Sequence, residues 1–413
     1  MTSRFGFTGG EPDDERNALA GLGEMLQSLG RMLAQPSGAH SLTAASLRQA
    51  ASASMPSHRI VDARMASAVA AASELAALWL DAASALPGAS PSVKAWSPQE
   101  WLEATAAGWV EFARPLIDAA ARVNTEMFSN SGGEPSELAD AVPAMPVMPE
   151  QMMALLQRLA AGMAEQQLAQ AVSEVAAHTL MLHEIPADLA QASAAVLPHA
   201  IEQDAVALEL PKDQALLWHV VRESAFARLF AAHSWIGKSL ADATHSYAAS
   251  LRLDGDALRS AVSEINPADP SSLQGLMASG LFEAKPTSQG TLAQSRIATL
   301  WILLESWADC VVARASEDRI PTLAALTEAH QRRRAALTPT SSLLSSLLAI
   351  DVPAKRVRVA RGMWDYITDK HGAEVRDRLW SHPDLLPTSD DLTDPTDFLA
   401  ALATEDSATP ESM

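Results

Sequence analysis

Two carboxylates within one apolar stretch are the groups in this sequence best suited to chemistry. Residues 297–312 are apolar except for Thr299, Glu305, Ser306 and Asp309. This pattern predicts a largely buried helix, and the four-residue spacing places Glu305 and Asp309 on the same face of it. An ionised carboxylate is unfavourable away from water unless it is compensated, so we expect Glu305 to contact a metal, a cation or a proton.

Other candidates for metal binding or nucleophilic catalysis are weaker. His178 and His183, which precedes Glu184, are five residues apart. On a helix this is about 500 degrees of rotation, so the two rings do not share a face. Cys310 is the single cysteine, which excludes an intramolecular disulfide and a thiolate zinc site, and its apolar surroundings predict an inert thiol. The sequence contains no G-x-S-x-G, P-loop or dinucleotide-binding motif.

Residues 216–235 place an arginine within an apolar helical stripe. Arg222 shares a face with Trp218, Phe226 and Leu229. The segment, with residues 227–230 and Trp235, resembles the actinobacterial zincin-like metallopeptidase family. In zincins, H-E-x-x-H turns two histidines of one helix toward zinc and a glutamate toward its water.

The resemblance assigns a role to each position of this motif. Arg222 replaces the first histidine, Glu223 retains the glutamate, and Phe226 replaces the second histidine. Glu305 would be the third zinc ligand, in a Glu-Ser-Trp context where the family has Glu-Gly-Trp, and Asp309 would support the ligands. The match continues in the same order along the chain, through residues 5–7, 75–81, 95–97, 100–101, 103–105, 305–309, 332–335 and 380–387.

The resemblance and the alanine-rich composition both predict a mainly α fold. We expect a large helical zincin-like domain with the motif helix packed against the long buried helix, and with flexible N- and C-terminal tails. Five parts follow along the chain: a flexible segment 1–16, an N-terminal helical part 17–130, a Pro/Gly/acid-rich loop or linker 131–149, the zincin-like core 150–386, and an acidic disordered tail 387–413. Ser97, Pro98 and Glu100 predict a capped helix start.

The zinc ligands are incomplete in this sequence. A catalytic zinc takes about three protein ligands, whereas an arginine has no lone pair to donate and a phenylalanine offers no donor. Only Glu305 remains, so we expect no metal cofactor, and Glu223 becomes a vestigial general base. His219 and His233 flank the motif and are expected to point elsewhere, although a rearranged zinc site that uses one of them is the alternative.

Arg222 stands where a ligand would meet the metal. We expect its guanidinium to take roughly the place of zinc and to pair with Glu305, Asp309 or Glu223. Phe226 would fill the volume of the missing imidazole. In the alternative, Arg222 lies at the rim of the fold and extends to water without a specific partner.

The function predicted from these residues is that of a pseudoenzyme with a binding or regulatory role and a protein or peptide partner. The first alternative is an active hydrolase with a rearranged metal site, and the second is a structural or assembly protein. A basic patch at residues 332–334 with Lys355, Arg356, Arg358 and Arg361 is expected to be a solvated helix face paired with local acids; the alternative is that it binds an acidic partner.

Charge and hydropathy limit the partners and the location. The net charge of −20 argues against a generally basic nucleic-acid surface. Residues 1–12 lack the apolar core of a signal peptide, and residues 299–313 are interrupted by Glu305 and Asp309. We therefore expect a cytoplasmic protein without a membrane or nucleic-acid partner; the sequence specifies no oligomeric state.

Overall fold

The computed structural model describes residues 42–55, 60–88, 91–130, 149–185, 187–191, 193–252, 285–336 and 338–408, with side-chain surroundings for all except 124–130, 149–161 and 405–408. The predicted segment 1–16, residues 17–41 of the predicted N-terminal helical part, nearly all of the loop 131–149, and residues 409–413 of the predicted tail lie outside the described residues.

The fold is mainly α, as predicted, and the described residues form twelve helices. They are α1 (Ala44–Ser54), α2 (Ala63–Ala83), α3 (Pro98–Asn130), α4 (Pro149–His178), α5 (Pro198–Ala207), α6 (Lys212–Ala232), α7 (Trp235–Ser250), α8 (Ser288–Ser316), α9 (Leu323–Ala335), α10 (Pro339–Leu348), α11 (Ala354–Arg378) and α12 (Thr396–Ala408). Short 3₁₀ turns occupy Leu182–Glu184, Leu379–Ser381 and Pro383–Leu385.

Two small sheets pair segments that are far apart in the sequence. β1 (Lys94–Ala95) pairs in parallel with β2 (Ala195–Val196), and β3 (Leu251–Arg252) pairs antiparallel with β4 (Lys285–Pro286). The helix start predicted from Ser97, Pro98 and Glu100 is observed: α3 begins at Pro98, shortly after β1. The Ser97 backbone N–H donates to Glu100 at 2.7 Å, and the Glu100 N–H donates back to the Ser97 hydroxyl at 3.3 Å.

The motif helix α6 packs against the long helix α8, as the resemblance implies. Every residue of α6 from Trp218 to Leu229 is buried, and so is every residue of α8 from Ile302 to Val312. α8 also contacts α2, α7 and α11, so other helices cover it on several sides. The apolar pattern of α8 accounts for its central position. α6 is buried although it carries His219, Arg222, Glu223 and Arg228.

A buried carboxylate fixes α8 relative to the ends of α2 and α11. Asp377 Oδ1 accepts a hydrogen bond from the indole of Trp307 at 2.9 Å. Its Oδ2 accepts from the Ser84 hydroxyl and the Ala85 N–H, both at 2.8 Å, and Arg376 pairs with the same carboxylate. This network, far from Arg222 in sequence, holds the helix that carries Glu305 and Asp309.

Within the tail expected to be acidic and disordered, residues 387–408 form turns and the helix α12. Leu392 is 1% exposed and Leu402 5% exposed, and both belong to the main core cluster. Phe398 and Leu399 pack against the same cluster, so apolar side chains attach this segment to the domain.

One helix of the described residues, α2, has the length and hydropathy of a membrane span, with 22% of that window buried. This helix packs on α6. Arg228 of α6 donates a hydrogen bond to the Ala77 carbonyl oxygen at 2.8 Å and forms an ion pair with Asp81 at 2.7 Å. A single helix of this kind is weak evidence for a membrane protein.

Candidate functional site

Arg222 projects from α6 into the contact with α8, and its side chain is fully buried. Nη2 lies 2.6 Å from Glu305 Oε2, and Nη1 lies 2.6 Å from Asp309 Oδ1. One planar guanidinium thus joins two carboxylates that are one helical turn apart. The expected pairing with Glu305 and Asp309 is confirmed, and the alternative of an arginine extending to water is wrong.

A second arginine, Arg334 of α9, pairs with the same two acids. Its Nη1 lies 3.0 Å from Glu305 Oε2 and its Nη2 lies 2.7 Å from Asp309 Oδ2. Two carboxylates and two guanidinium groups therefore form a cluster with no formal net charge. The solvated face expected for residues 332–334 is therefore wrong for Arg334; of these three residues only Arg332 is exposed, in a pair with Glu328.

Both acids of this cluster stay ionised. Burial by itself would raise the pKa of Glu305, but Arg222, His330 and Arg334 together hold that pKa far below its ordinary value. Burial likewise opposes ionisation of Asp309, and Arg222 and Arg334 outweigh it, so its pKa is also lowered. The opposite charges that a buried carboxylate requires are thus supplied by the chain itself.

His330 is a member of the site that the sequence analysis missed. Its Nε2 lies 3.9 Å from Glu305 Oε2 and 3.9 Å from Asp309 Oδ1. Burial first, and then the charge of Arg222, lower its pKa to about 4, so the ring is neutral near pH 7. A lone histidine in a polar, arginine-rich helix carries no local motif that would have marked it.

Of the histidines that flank the motif, only His219 reaches this region. It lines the same cavity as Glu305 and His330, although we expected it to point elsewhere. Its Nδ1 lies 2.8 Å from the Ala215 carbonyl oxygen, and burial lowers its pKa to about 3. His233 ends α6 and lies outside the cluster.

Glu223 faces away from the cluster and is fully buried. Oε1 accepts from His183 Nδ1 and from the Ala195 N–H of β2, both at 2.9 Å, and Oε2 accepts from the His183 N–H at 3.1 Å. Glu223, one of the three acids expected to pair with Arg222, therefore binds the turn at Leu182–Glu184 and β2 instead. This geometry gives the glutamate a positioning role between segments that are distant in sequence.

Phe226 packs between the motif arginine and His183. Its ring is stacked on His183, with centroids 5.9 Å apart, and the Arg222 guanidinium carbon lies 5.4 Å from the ring centroid. Trp218 flanks the same guanidinium at 5.8 Å. Aromatic faces therefore cover Arg222 where it is not hydrogen-bonded, an arrangement that favours a desolvated cation.

Within the described residues, Glu305, Asp309 and His330 have ligand atoms that all lie within 4.8 Å of one another, a spacing compatible with a metal ion. These residues do not suit a metal, because carboxylate oxygens of Glu305 and Asp309 are already hydrogen-bonded and two positive charges lie beside them. Hydrogen bonds from Arg222 and Arg334 engage Glu305 Oε2 and both oxygens of Asp309. The two guanidinium groups would repel a divalent cation placed among these residues. The residues present therefore do not fit zinc.

A cavity of about 560 Å³ opens beside the cluster. Helices α9 and α10, the start of α11 and residues 180–184 contribute to its walls, with Trp301 and Glu305 from α8 and His219 from α6. This volume lies in the range of sites for small organic ligands. The sequence offered no signal for it, because its walls come from segments that are far apart along the chain.

Comparison with known proteins gives two matches. Residues 40–399 match the family model described as zincin-like metallopeptidase. The structure is similar to a crystal structure from Chloroflexus aurantiacus, that of a candidate hydrolase with a novel fold, with 16% sequence identity, a TM-score of 0.55, and coverage of 88% of this chain and 99% of that one. At this identity the likeness concerns the fold alone. No curated protein matches the sequence.

Proposed function

The chain belongs to the zincin-like metallopeptidase family, and from this premise we propose that it is a non-catalytic member with a binding or regulatory role. In this proposal Arg222 and Phe226 stand at the two former histidine positions. Glu305 is the former third ligand, and Asp309 formerly supported the ligands. The guanidinium of Arg222 takes the place of the metal and compensates the carboxylates that zinc would otherwise neutralise.

The observation that carries this proposal is the bidentate pairing of a fully buried Arg222 with Glu305 and Asp309. An arginine stays protonated at all ordinary pH values and cannot become a ligand. Its withdrawal would leave two carboxylates buried beside a single remaining arginine, which is strongly unfavourable. The site therefore favours the ion pairs over an exchangeable metal.

The surroundings of Glu223 support the loss of catalysis. A general base needs a lone pair within hydrogen-bond reach of the water or proton that it activates. Here three N–H donors from His183 and Ala195 engage the carboxylate on the side away from Glu305. We infer that Glu223 is a vestigial base whose present role is to hold β2 and the turn Leu182–Glu184 on α6.

The binding role rests on the cavity beside the ion-pair cluster. A cleft with apolar walls and a few convergent polar groups is the usual form of a ligand site. A protein or peptide partner, a cytoplasmic location and the absence of nucleic-acid or membrane contacts complete the proposal. A purely structural role is the weaker reading, because it assigns no use to a cavity of about 560 Å³.

Peptide hydrolysis by the purified full chain tests the proposal. A mixture of quenched fluorescent peptides, assayed with and without added zinc, is expected to show no turnover above a protein-free blank. Thermolysin in the same buffer serves as the positive control. Chelator-sensitive turnover that disappears in Glu305→Gln would overturn the proposal.

One observation favours a second candidate, a hydrolase with a rearranged metal site. Glu305, Asp309 and His330 have the spacing of a ligand set. For that function, Arg222 and Arg334 would both have to leave the carboxylates when metal enters. Metal-dependent turnover that is lost in His330→Ala and kept in His233→Ala would identify this alternative.

A further inference from the structure

The charges that line the cavity are largely compensated within the protein. Arg334 pairs with Glu305 at 3.0 Å, and Arg333 pairs with Glu184 at 3.1 Å. The remaining charged lining residue, Asp351, is exposed. The inner part of the cavity therefore offers no uncompensated charge to an incoming ion.

His219 lines the cavity as a neutral ring rather than a cation. Burial lowers its pKa to about 3. His219 Nδ1 lies 2.8 Å from the Ala215 carbonyl oxygen, so Nδ1 carries the proton of the neutral ring. The Nε2 lone pair of His219 is then available to accept a hydrogen bond.

The remaining lining is apolar on one side and hydroxyl-bearing on another. Buried Met181, Leu344 and Ile350 form part of the apolar wall. Ser342 and Ser345, on the exposed side of α10, lie at the other wall. A ligand that covers this apolar area binds favourably, and the serine hydroxyls can hydrogen-bond to it even when it carries no charge.

We propose that this cavity binds an uncharged, mainly apolar small molecule that carries an N–H or O–H donor directed at His219. The inference rests on the proposed binding role, and it adds a small ligand in the cavity to the protein or peptide partner proposed above. A charged ligand would lose its hydration and find the nearby ions already paired, so its transfer into the cavity is unfavourable. An uncharged ligand avoids this penalty.

The test compares two dyes of the same skeleton on the full-length protein. N-phenyl-1-naphthylamine is uncharged and has one N–H donor, and 8-anilinonaphthalene-1-sulfonate adds a sulfonate. We expect the uncharged dye to bind with a rise in emission and at least about tenfold more tightly than the sulfonate, a difference of about 1.4 kcal/mol. Equal binding of the two dyes, or tighter binding of the sulfonate, overturns the proposal.

Two variants locate the bound dye. Ser345→Trp places a large ring at the exposed wall of the cavity and is expected to weaken binding of the uncharged dye at least fivefold, whereas Ser246→Trp, on the exposed side of α7, leaves it unchanged. His219→Phe is expected to weaken binding severalfold by removing the acceptor. Unchanged binding in both Ser345→Trp and His219→Phe would place the dye elsewhere and refute the site.

The zinc content of the same sample separates the two proposals. A zinc-free protein that fails to bind the uncharged dye contradicts the ligand class alone. A protein with one tightly held zinc per chain contradicts the proposed function itself, whatever the dyes show.

Discussion

Arg222 on α6 and Glu305 on α8 are joined by a 2.6 Å hydrogen bond between Nη2 and Oε2, with the arginine side chain fully buried and that of the glutamate 6% exposed. The same guanidinium reaches Asp309, so one residue of the motif helix compensates both acids of the long helix. In the proposed function, this relationship makes Arg222 a structural requirement of the domain and keeps a metal away from the carboxylates.

Arg222→Ala is expected to lower the free energy of unfolding by about 3–5 kcal/mol, because it leaves buried carboxylates with Arg334 as the remaining close cation. Urea denaturation followed by circular dichroism measures the change. Arg332→Ala is the matched control, since Arg332 makes an exposed pair with Glu328, and it should change stability by less than about 1 kcal/mol. Equal effects of the two substitutions would contradict the account.

The pairing of α6 with α8 could be predicted from sequence, because α8 is apolar on nearly every side, α6 carries Arg222 within an apolar stripe, and a buried glutamate must find a cation. Arg334 and His330 could not be predicted in the same way. The periodicity of α9 is that of a solvated helix, and the decisive contacts of both residues are with the distant helix α8. The contact between Glu223 and His183 likewise spans 40 residues and depends on a turn without a sequence signature.

Stability is expected to fall as the pH is lowered from 7 to 4. His219 and His330 have folded-state pKa values of about 3 and about 4, below the unfolded value of 6.5, so the unfolded chain binds more protons in this window. Each histidine therefore removes stability at up to about 1.4 kcal/mol per pH unit as the pH falls below 6.5. Glu305 and Asp309, whose folded pKa values are also lowered, act in the same direction at lower pH.

Denaturation midpoints at pH 7, 6, 5 and 4 measure this dependence. His330→Phe should reduce its slope, because the ring that must stay neutral in the folded state is gone. His245→Gln, on the exposed side of α7, is the control. A stability that is flat from pH 7 to 4, or that rises toward acid, would show that these histidines are not buried in neutral form.

Glu223→Gln is expected to destabilise the fold by about 1–3 kcal/mol. The amide retains one acceptor oxygen, but its NH₂ group would meet N–H donors from His183 or Ala195. A residual catalytic base predicts the opposite pattern, in which stability is unchanged and hydrolysis is lost. Measuring unfolding and peptide turnover on one preparation distinguishes the two roles.

The double substitution Arg222→His with Phe226→His tests whether these positions are former ligand positions. It places two imidazoles one turn apart on α6 and removes one of the two guanidinium groups that now engage Glu305. Zinc affinity, measured by competition with a fluorescent chelator, should rise at least about tenfold over the unsubstituted chain. The same pair of substitutions one residue out of phase, Glu223→His with Ala227→His, should give no gain.

Zinc content is the most direct test of the central claim that Arg222 occupies the place of the metal. The full chain, purified without chelators from zinc-supplemented cells, would be analysed by inductively coupled plasma mass spectrometry beside Glu305→Gln. We expect far less than one zinc per chain in both proteins. One tightly held zinc per chain that is lost in Glu305→Gln would contradict the account.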